Sequence, residues 1–543
     1  MRLCGIFRIV LFLVLLTAEV AASQTNTYWL KLKDKKGTTY SLSKPEAFLS
    51  QRSLNRRTRQ HITLDDTDLP VSKVYLDSLK KIGLELVHSS KWLNGATVRT
   101  ADTALIRKVG KLSFVSEVQL TKSATSLKSV HQKFAAEISS ADYGTALTQL
   151  TQLNGQYLHN LGFRGKGIQI AVLDAGFLHV DQLAVFDSLR LQKRILAIRD
   201  VVNPKSEFYK EDSHGMSVLS CMGGNLPEQH IGTAPDASYD LIRTEDDATE
   251  YLTEEDNWIV GAELADSLGA DVINSSLGYY NFDDSSMDHT YADLNGNKTR
   301  ITQGANLAFQ KGILVFASAG NEGNNTWKRI IAPADGTNVI AVGAVDKSGK
   351  LAYFSSLGPA YGGAVKPNVA AMGLLASLET STGTIGYSSG TSFSSPVLAG
   401  LGACLMQSNP YASVKQVKLA IEQSASQYNK PDSLLGYGIP DFEKADKYLK
   451  LNSFTQPENL ISWGVFPNPF TDRIVVRSLS SEQTDPCTIR IFSLQGVCLW
   501  KSTFVYSDQI TLTGLDNLPS GVLILEIQCK DVDERIKMVR LRH

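Results

Sequence analysis

Apolar positions change their period along the chain, and each change marks a boundary. Residues 9–16 form an unbroken apolar run, preceded by Arg2 and Arg8 and followed by Ala18, Ala21, Ala22 and Ser23. A basic flank, a short apolar core and a small-residue exit predict a secretory signal peptide over 1–22, removed after Ala22 or Ser23 together with Cys4. The run is too short to cross a bilayer, and no later stretch reaches about 18 consecutive apolar residues. From 23 to 122, strand-like alternation (Tyr28-Trp29-Leu30-Lys31-Leu32, then Leu84-Glu85-Leu86-Val87, then Phe114-Val115-Ser116-Glu117-Val118) is interleaved with helical spacing over 74–82 and 104–109. That mixture predicts a small α+β unit. The cluster Arg52, Arg56, Arg57 and Arg59 lies in it and reads as a solvated helix face rather than an anion-binding patch.

The stretch 123–145 is rich in Ser, Thr, Lys and Ala, lacks a period, and reads as an exposed linker. From Gly167 onward, apolar strands at 168–173, 272–273, 312–316 and 339–345 alternate with helical segments. Such alternation predicts an α/β unit over 146–451, a doubly wound parallel sheet with helices on both faces. A polar, proline-bearing segment at 452–464 separates it from 465–543. There, short alternating strands at 473–477, 488–492, 522–527 and 536–539, with turns at Ser493-Leu494-Gln495-Gly496 and Leu518-Pro519-Ser520-Gly521, predict a β-sandwich.

Composition narrows the function classes. The 543 residues carry 54 Lys+Arg and 55 Asp+Glu, a net charge of −1, which gives no electrostatic footprint for nucleic acid or an anionic membrane. Six cysteines are too sparse for a disulfide scaffold. Without Cys4 there remain Cys221, Cys404, Cys487, Cys498 and Cys529, an odd set with no CxxC pair, so at least one thiol is free or bonded to another chain. Cys221 and Cys404 read as small buried residues on helices.

Four positions carry candidate chemistry. Asp174 ends an apolar strand and precedes Ala175-Gly176, where open α/β sheets bind ligands. The glycines Gly162, Gly165 and Gly167 come before that strand, the opposite of a dinucleotide loop. His214, in Asp212-Ser213-His214-Gly215-Met216, opens a helical run behind cap-forming residues. Ser392, in Gly390-Thr391-Ser392-Phe393-Ser394-Ser395-Pro396, opens another helix, whose N-terminal amides suit an oxyanion. Gly400 and Gly402 inside that helix imply a close packing partner. Asn321 ends a strand in Ala319-Gly320-Asn321-Glu322-Gly323 and can donate an amide hydrogen into the same crevice.

In the order Asp, His, Asn, Ser, with Ala171-Val172-Leu173-Asp174, His214-Gly215, Ile273-Asn274-Ser275-Ser276-Leu277-Gly278, Ala319-Gly320-Asn321-Glu322-Gly323 and Gly390-Thr391-Ser392, residues 150–450 resemble the subtilisin family of serine proteases. The resemblance implies Ser392 as nucleophile, His214 as general base and then acid, and Asp174 as its orienting carboxylate. It also implies Asn321 and the Ser392 N–H as the oxyanion hole, and Ser276, Leu277 and Gly278 as a substrate-binding wall. Departures are Met216-Ser217 after the histidine motif, Ala175 after the aspartate and Ala371-Met372-Gly373 in place of Ala-Pro-Gly. The 23–122 unit resembles the inhibitory prodomain of subtilisin relatives. The tail, opening Val465-Phe466-Pro467-Asn468-Pro469-Phe470, resembles sorting domains of type IX secretion substrates, departing at its end, where the usual basic finish is only Arg540, Arg542 and His543; the alternative is a β-sandwich accessory domain.

The implied function is a secreted or surface-attached serine endopeptidase made as a zymogen. Its partners are protein or peptide substrates, its own prodomain and, through the tail, secretion machinery, with no nucleic acid. Competing readings are a non-catalytic protease-like binding protein and another serine hydrolase; the Gly390-x-Ser392-x-Ser394 context is not the Gly-x-Ser-x-Gly elbow of the latter. The chemistry requires no cofactor. Asp283, Asp284, Asp288, Asp293, Asn295 and Asn297 crowd one insertion, either a solvated loop or a structural calcium site, without EF-hand spacing.

Overall fold

A computed structural model describes residues 25–123, 143–453, 463–466, 469–478, 486–504, 509–529 and 532–541. The signal-peptide segment 1–22, nearly all of the 123–145 linker and most of the 452–464 linker lie outside the described residues.

The N-terminal unit is the expected α+β fold. Strands β1 (Asn26–Leu32), β2 (Glu85–Ser90), β3 (Gly95–Thr100) and β4 (Val115–Lys122) form an antiparallel sheet in the order β2-β3-β1-β4. Helices α1 (Gln51–Arg59), α2 (Lys73–Lys81) and α3 (Thr103–Val109) accompany it. Its core joins Leu30, Leu32 and Val98 of the sheet to Leu79 of α2 and Ile106 and Val109 of α3.

The central unit is built on a seven-stranded sheet: β5 (Gln169–Asp174), β6 (Ile195–Asp200), β7 (Ser238–Arg243), β8 (Val272–Ser275), β9 (Leu314–Ser318), β10 (Ile340–Val345) and β11 (Val369–Met372), in the order β11-β10-β9-β8-β5-β7-β6. Every neighbouring pair is parallel. Strands β5, β8, β9, β10 and β11 are buried at every residue, as a sheet covered on both faces requires. Ser275 pairs with Leu173 on one side and Ala317 on the other, so the C-terminal ends of β5, β8 and β9 lie side by side. Helices α4 (His214–Gly223), α5 (Thr253–Leu268), α6 (Arg300–Gln310) and α7 (Thr391–Ser408) pack on this sheet, with a hairpin of β12 (Ala376–Glu379) and β13 (Ile385–Ser388) before α7. Both helical glycines of α7 have the close partner expected of them. A Cβ on Gly400 would lie 2.1 Å from Thr233 Oγ1, and one on Gly402 would lie 2.7 Å from Phe316 Cζ. Cys221 on α4 and Cys404 on α7 are buried free thiols. Described chain rejoins this unit inside the stretch expected as linker: Gly144 bridges to His230 and the Thr145 amide donates to Gln229 O.

The tail is a separate unit of two antiparallel sheets. One is ordered β14 (Trp463–Phe466), β15 (Ile474–Ser478), β18 (Gln509–Leu512); the other is β17 (Cys498–Phe504), β16 (Cys487–Ser493), β19 (Gly521–Cys529), β20 (Val532–Arg540). Ile474, Val476 and Leu512 from the first share a core with Ile489, Ile491 and Leu525 from the second, the signature of a sandwich.

One expectation is overturned. The arginines of α1 do not form a solvated face: Arg56 and Arg57 are 1% and 2% exposed. Asp266, near the end of α5, receives Arg56 at 2.5 Å, Arg57 at 2.9 Å and Lys91 at 3.1 Å. Arg52 and Arg59 pair with Asp271. The carboxylate partners come from a distant part of the chain, so no local pattern announces them. The same helix covers the last carbonyls of α5: Ser50 N donates to Ser267 O, Ser50 Oγ to Leu268 O and Arg52 Nε to Gly269 O. These are groups a helix end otherwise leaves unpaired, and cations favour that end of its dipole. Glu263, one turn earlier, caps the β2–β3 connection by accepting from Ser90 Oγ, Lys91 N and Trp92 N, while Trp92 itself packs in the core of the α/β unit.

Burial opposes charge on Asp266, but Lys91, Arg56 and Arg57 outweigh it and hold its carboxyl well below the usual range. Removing that charge takes away the ion-pair partner of buried Arg56 and Lys91 and leaves Arg57 with Asp68 alone. Asp266→Asn in the full chain is expected to lower stability by about 3–5 kcal/mol, read as a lower thermal midpoint by calorimetry. An unchanged midpoint would exclude the network as a structural element.

Candidate active site

Asp174 is the last residue of β5 and is fully buried. His214 is the first residue of α4, where Asp212 Oδ1 accepts its backbone N–H at 2.6 Å; the cap is therefore Asp212, not Ser213. The His214 ring donates from Nδ1 to Asp174 Oδ1 at 2.6 Å, and the Ala175 amide donates to the same oxygen at 2.8 Å. This close approach of two backbone segments needs glycine. A Cβ on Gly215 would sit 2.4 Å from Gly176 O and 2.7 Å from Asp174 Cβ, and one on Gly176 would sit 2.3 Å from Asp212 N. With its proton held on Nδ1, a neutral His214 has its lone pair on Nε2.

Ser392 is the second residue of α7 and is 8% exposed. Its hydroxyl donates to Ser276 O at 3.3 Å, while Ser276 Oγ donates to Ser392 O at 2.8 Å. Asn274 extends this link: its Nδ2 donates to Ser276 Oγ and its Oδ1 accepts from Ser395 Oγ. The end of β8 is thus bolted to the first turn of α7. Leu277 is buried in the core, so this wall presents backbone rather than side chain to the cleft. Among the described residues, Leu277 and Gly278 make no backbone–backbone hydrogen bond, which leaves their N–H and C=O groups for an added extended strand.

Asn321 follows Gly320, whose φ of 106° only glycine adopts freely. Asn321 Oδ1 accepts from Thr391 N at 2.9 Å and Thr391 Oγ1 at 3.0 Å. Both contacts are with donors, which fixes the amide orientation and leaves the NH₂ as its remaining polar group. Thr391 Oγ1 also accepts from Gly320 N at 3.2 Å. Thr391 is therefore the post that holds Asn321 against α7. The sequence carries a signal for it, a hydroxyl at the first position of a helix beside Ser392.

Ala175, His214, Ser276, Leu277, Gly278, Asn321 and Ser392 all line one cleft of about 380 Å³. Every expected site residue except buried Asp174 reaches it, and Asp174 reaches it through His214. Glu245, Asp247, Glu250 and Glu322 also line it, and sequence reading had not singled them out. Burial, then repulsion from Asp174, pushes the Glu245 carboxyl up to about 7, although Tyr279 donates to it at 2.9 Å.

In the 283–297 insertion the acidic and amide side chains are engaged by groups of the protein itself. Asp284 caps Ser286, Asp288 accepts from Phe282 N, Asp293 caps Thr290 and Asn295 caps Asn297. Asp283 accepts from Glu250 N and Asn297 from Asn306 Nδ2, so these side chains serve separate partners. No cluster of three or more metal-ligating side chains exists among the described residues, nor is any described helix long and apolar enough to cross a membrane.

Three family models match the chain: "Subtilase family" over residues 165–438, "Peptidase S8 propeptide domain, Bacteroidota" over 27–137, and "Secretion system C-terminal sorting domain" over 464–539. Among curated proteins, subtilisin NAT of Bacillus subtilis subsp. natto is 28% identical over 283 residues, 51% of this chain and 65% of that protein. Serine protease AprX of Bacillus subtilis (strain 168) is 28% identical over 334 residues, 54% and 68% of the two chains. The thermophilic serine proteinase of Bacillus sp. (strain AK1) is 32% identical over 278 residues, 50% and 60%. The subtilase match covers just over half of the chain, and it coincides with the parallel sheet and the cleft at its C-terminal edge; this chain belongs to the subtilase family.

Proposed function

We propose that the protein is an exported serine endopeptidase made as a zymogen, cleaving peptide bonds with Ser392 as nucleophile. The observation that carries this reading is the 2.6 Å hydrogen bond from His214 to buried Asp174, in a cleft that His214 shares with Ser392. Asp174 holds the imidazole in the tautomer whose Nε2 takes the serine proton, and it stabilises the imidazolium that forms. Attack on the substrate carbonyl places negative charge on its oxygen. The Asn321 amide and the Ser392 N–H at the start of α7 supply hydrogen bonds there. The Leu277–Gly278 edge pairs with the substrate as an added strand, fixing the scissile bond over Ser392. Protonated His214 then returns its proton to the leaving amine, and water repeats the sequence to release the acid.

The N-terminal unit serves as the propeptide, and the tail addresses the protein to a type IX secretion machinery, as its match and its opening motif support. The segment 123–145 follows the last propeptide strand and is the proposed site of self-cleavage.

Ser392→Ala is expected to cut turnover by about 10⁶-fold, a magnitude taken from related subtilisins rather than from this geometry. The secreted variant should lose its signal peptide yet retain the propeptide, as read by N-terminal sequencing. Casein cleavage at the parent rate, or a propeptide removed as usual, would refute the assignment. Asn321→Ala removes one oxyanion donor and leaves the Ser392 N–H. Turnover should fall about 10²–10³-fold, again the scale of related subtilisins, with the Michaelis constant nearly constant; an unchanged turnover number would exclude Asn321. A histidine base must be neutral and ordinarily titrates near about 6.5, so kcat/KM should decline as pH falls below neutrality. A rate maximum near pH 4 would exclude His214 as base.

A further inference from the structure

The cleft is one-sided in charge. Its lining holds four carboxylates, Glu245, Asp247, Glu250 and Glu322, and neither lysine nor arginine. Glu322 is already engaged, accepting from Tyr280 Oη at 3.0 Å and from Asn325. The other three lie on the segment that follows β7. In the first turn of α5, Glu254 is 1% exposed and its Oε2 has no hydrogen-bond partner among the described residues. A buried acceptor left unsatisfied is costly and points to a missing donor. Glu254 feels Glu250 and Glu245 as its nearest charged neighbours, and Glu250 feels Glu245, Asp283 and Asp247. Burial and this mutual repulsion push the carboxyls of Glu245, Glu250 and Glu254 up, which is the mark of a site short of positive charge.

The cations nearby are committed or are part of the propeptide. Arg243 pairs with Asp200 at 3.0 Å and lies 3.8 Å from Asp246. His214 is bound to Asp174. The cation set against Glu254 is Lys122, the last residue of β4, whose ammonium donates to Thr249 Oγ1 at 3.0 Å and sits 5.0 Å from the centre of the Tyr251 ring. That lysine belongs to the propeptide and leaves with it. Oxygen acceptors, an aromatic face and surplus carboxylates are what an ammonium or guanidinium requires.

We infer that the cleft selects peptide substrates carrying a lysine or arginine side chain close to the scissile bond, held by Glu245, Asp247 and Glu250. This rests on the endopeptidase reading and names its substrate class. In the zymogen Lys122 occupies the edge of the same charge cluster, so the propeptide carries a stand-in for the substrate's cation.

The test uses N-acetylated, internally quenched peptides that differ only in placing lysine, norleucine or glutamate at one position, scanned through the residues on either side of the cut. The secreted enzyme should show kcat/KM for lysine over norleucine of about tenfold or more at one position at least, and glutamate should be the poorest. That ratio should shrink at high salt and collapse towards one in Glu245→Gln and Glu250→Gln. Should either variant fail to fold, the parent enzyme's ratio and its salt dependence decide alone. Equal rates for lysine and norleucine at every position, with hydrolysis plainly measurable, would overturn this inference and leave the endopeptidase reading standing. A lysine preference untouched in both folded variants would overturn the assignment to these carboxylates. Hydrolysis of no peptide at all would overturn the proposed function and this inference with it.

Discussion

The Asp174–His214 contact at 2.6 Å sets the terms for everything around it. It joins the end of a buried strand to the start of a helix, and the two backbones must nearly touch for side chains as short as these to meet. Gly176 and Gly215 make that approach sterically possible, and the Asp212 cap fixes where the helix begins. The parallel sheet does the rest. Because β5, β8 and β9 end in register, residues far apart in sequence are delivered to one edge without needing loops to place them. The bolts between Ser276 and Ser392 and between Thr391 and Asn321 then set α7 against that edge from both sides. Groups held this way need little rearrangement when charge develops, which is what preorganised catalysis demands.

Much of this was legible in the sequence because it is local. Strand alternation, the glycines around Asp174 and His214, and the helix opening at Ser392 each occupy a few consecutive residues. The two helical glycines of α7 announced a close neighbour, and Thr233 and Phe316 supply it. What could not be read was set by partners elsewhere in the chain. Arg56 and Arg57 look like solvated cations until Asp266 is folded against them. Nothing local marks Glu254 as a residue that folding buries, with Glu250 and Glu245 repelling its charge. In the acidic insertion at 283–297, side chains that crowd together in sequence serve separate partners in the fold. Charge is long-ranged and its burial non-local, so the charged residues carried most of the surprise.

The propeptide and the α/β unit meet through two unlike contacts. Trp92 is a hydrophobic plug in the core of the larger unit. Around it the contacts are ionic and helix-capping, with α5 contributing Glu263, Asp266 and its terminal carbonyls. A buried carboxylate among three cations adds little net stability over an apolar equivalent, but it tolerates no misplacement. Such a seam penalises any docking pose that leaves one of these charges without its partner.

That ionic seam has a consequence for what happens once the two parts separate. Partners joined by grease expose adhesive patches when they come apart, and those patches drive clumping. At the end of α5 the groups this joint would bare are guanidinium, ammonium and carboxylate, which water accepts readily. Trp92, Leu93 and Leu120, which pack on the core of the larger unit, are the apolar side chains it would leave bare. For the propeptide release proposed above, such a joint dissolves rather than tears.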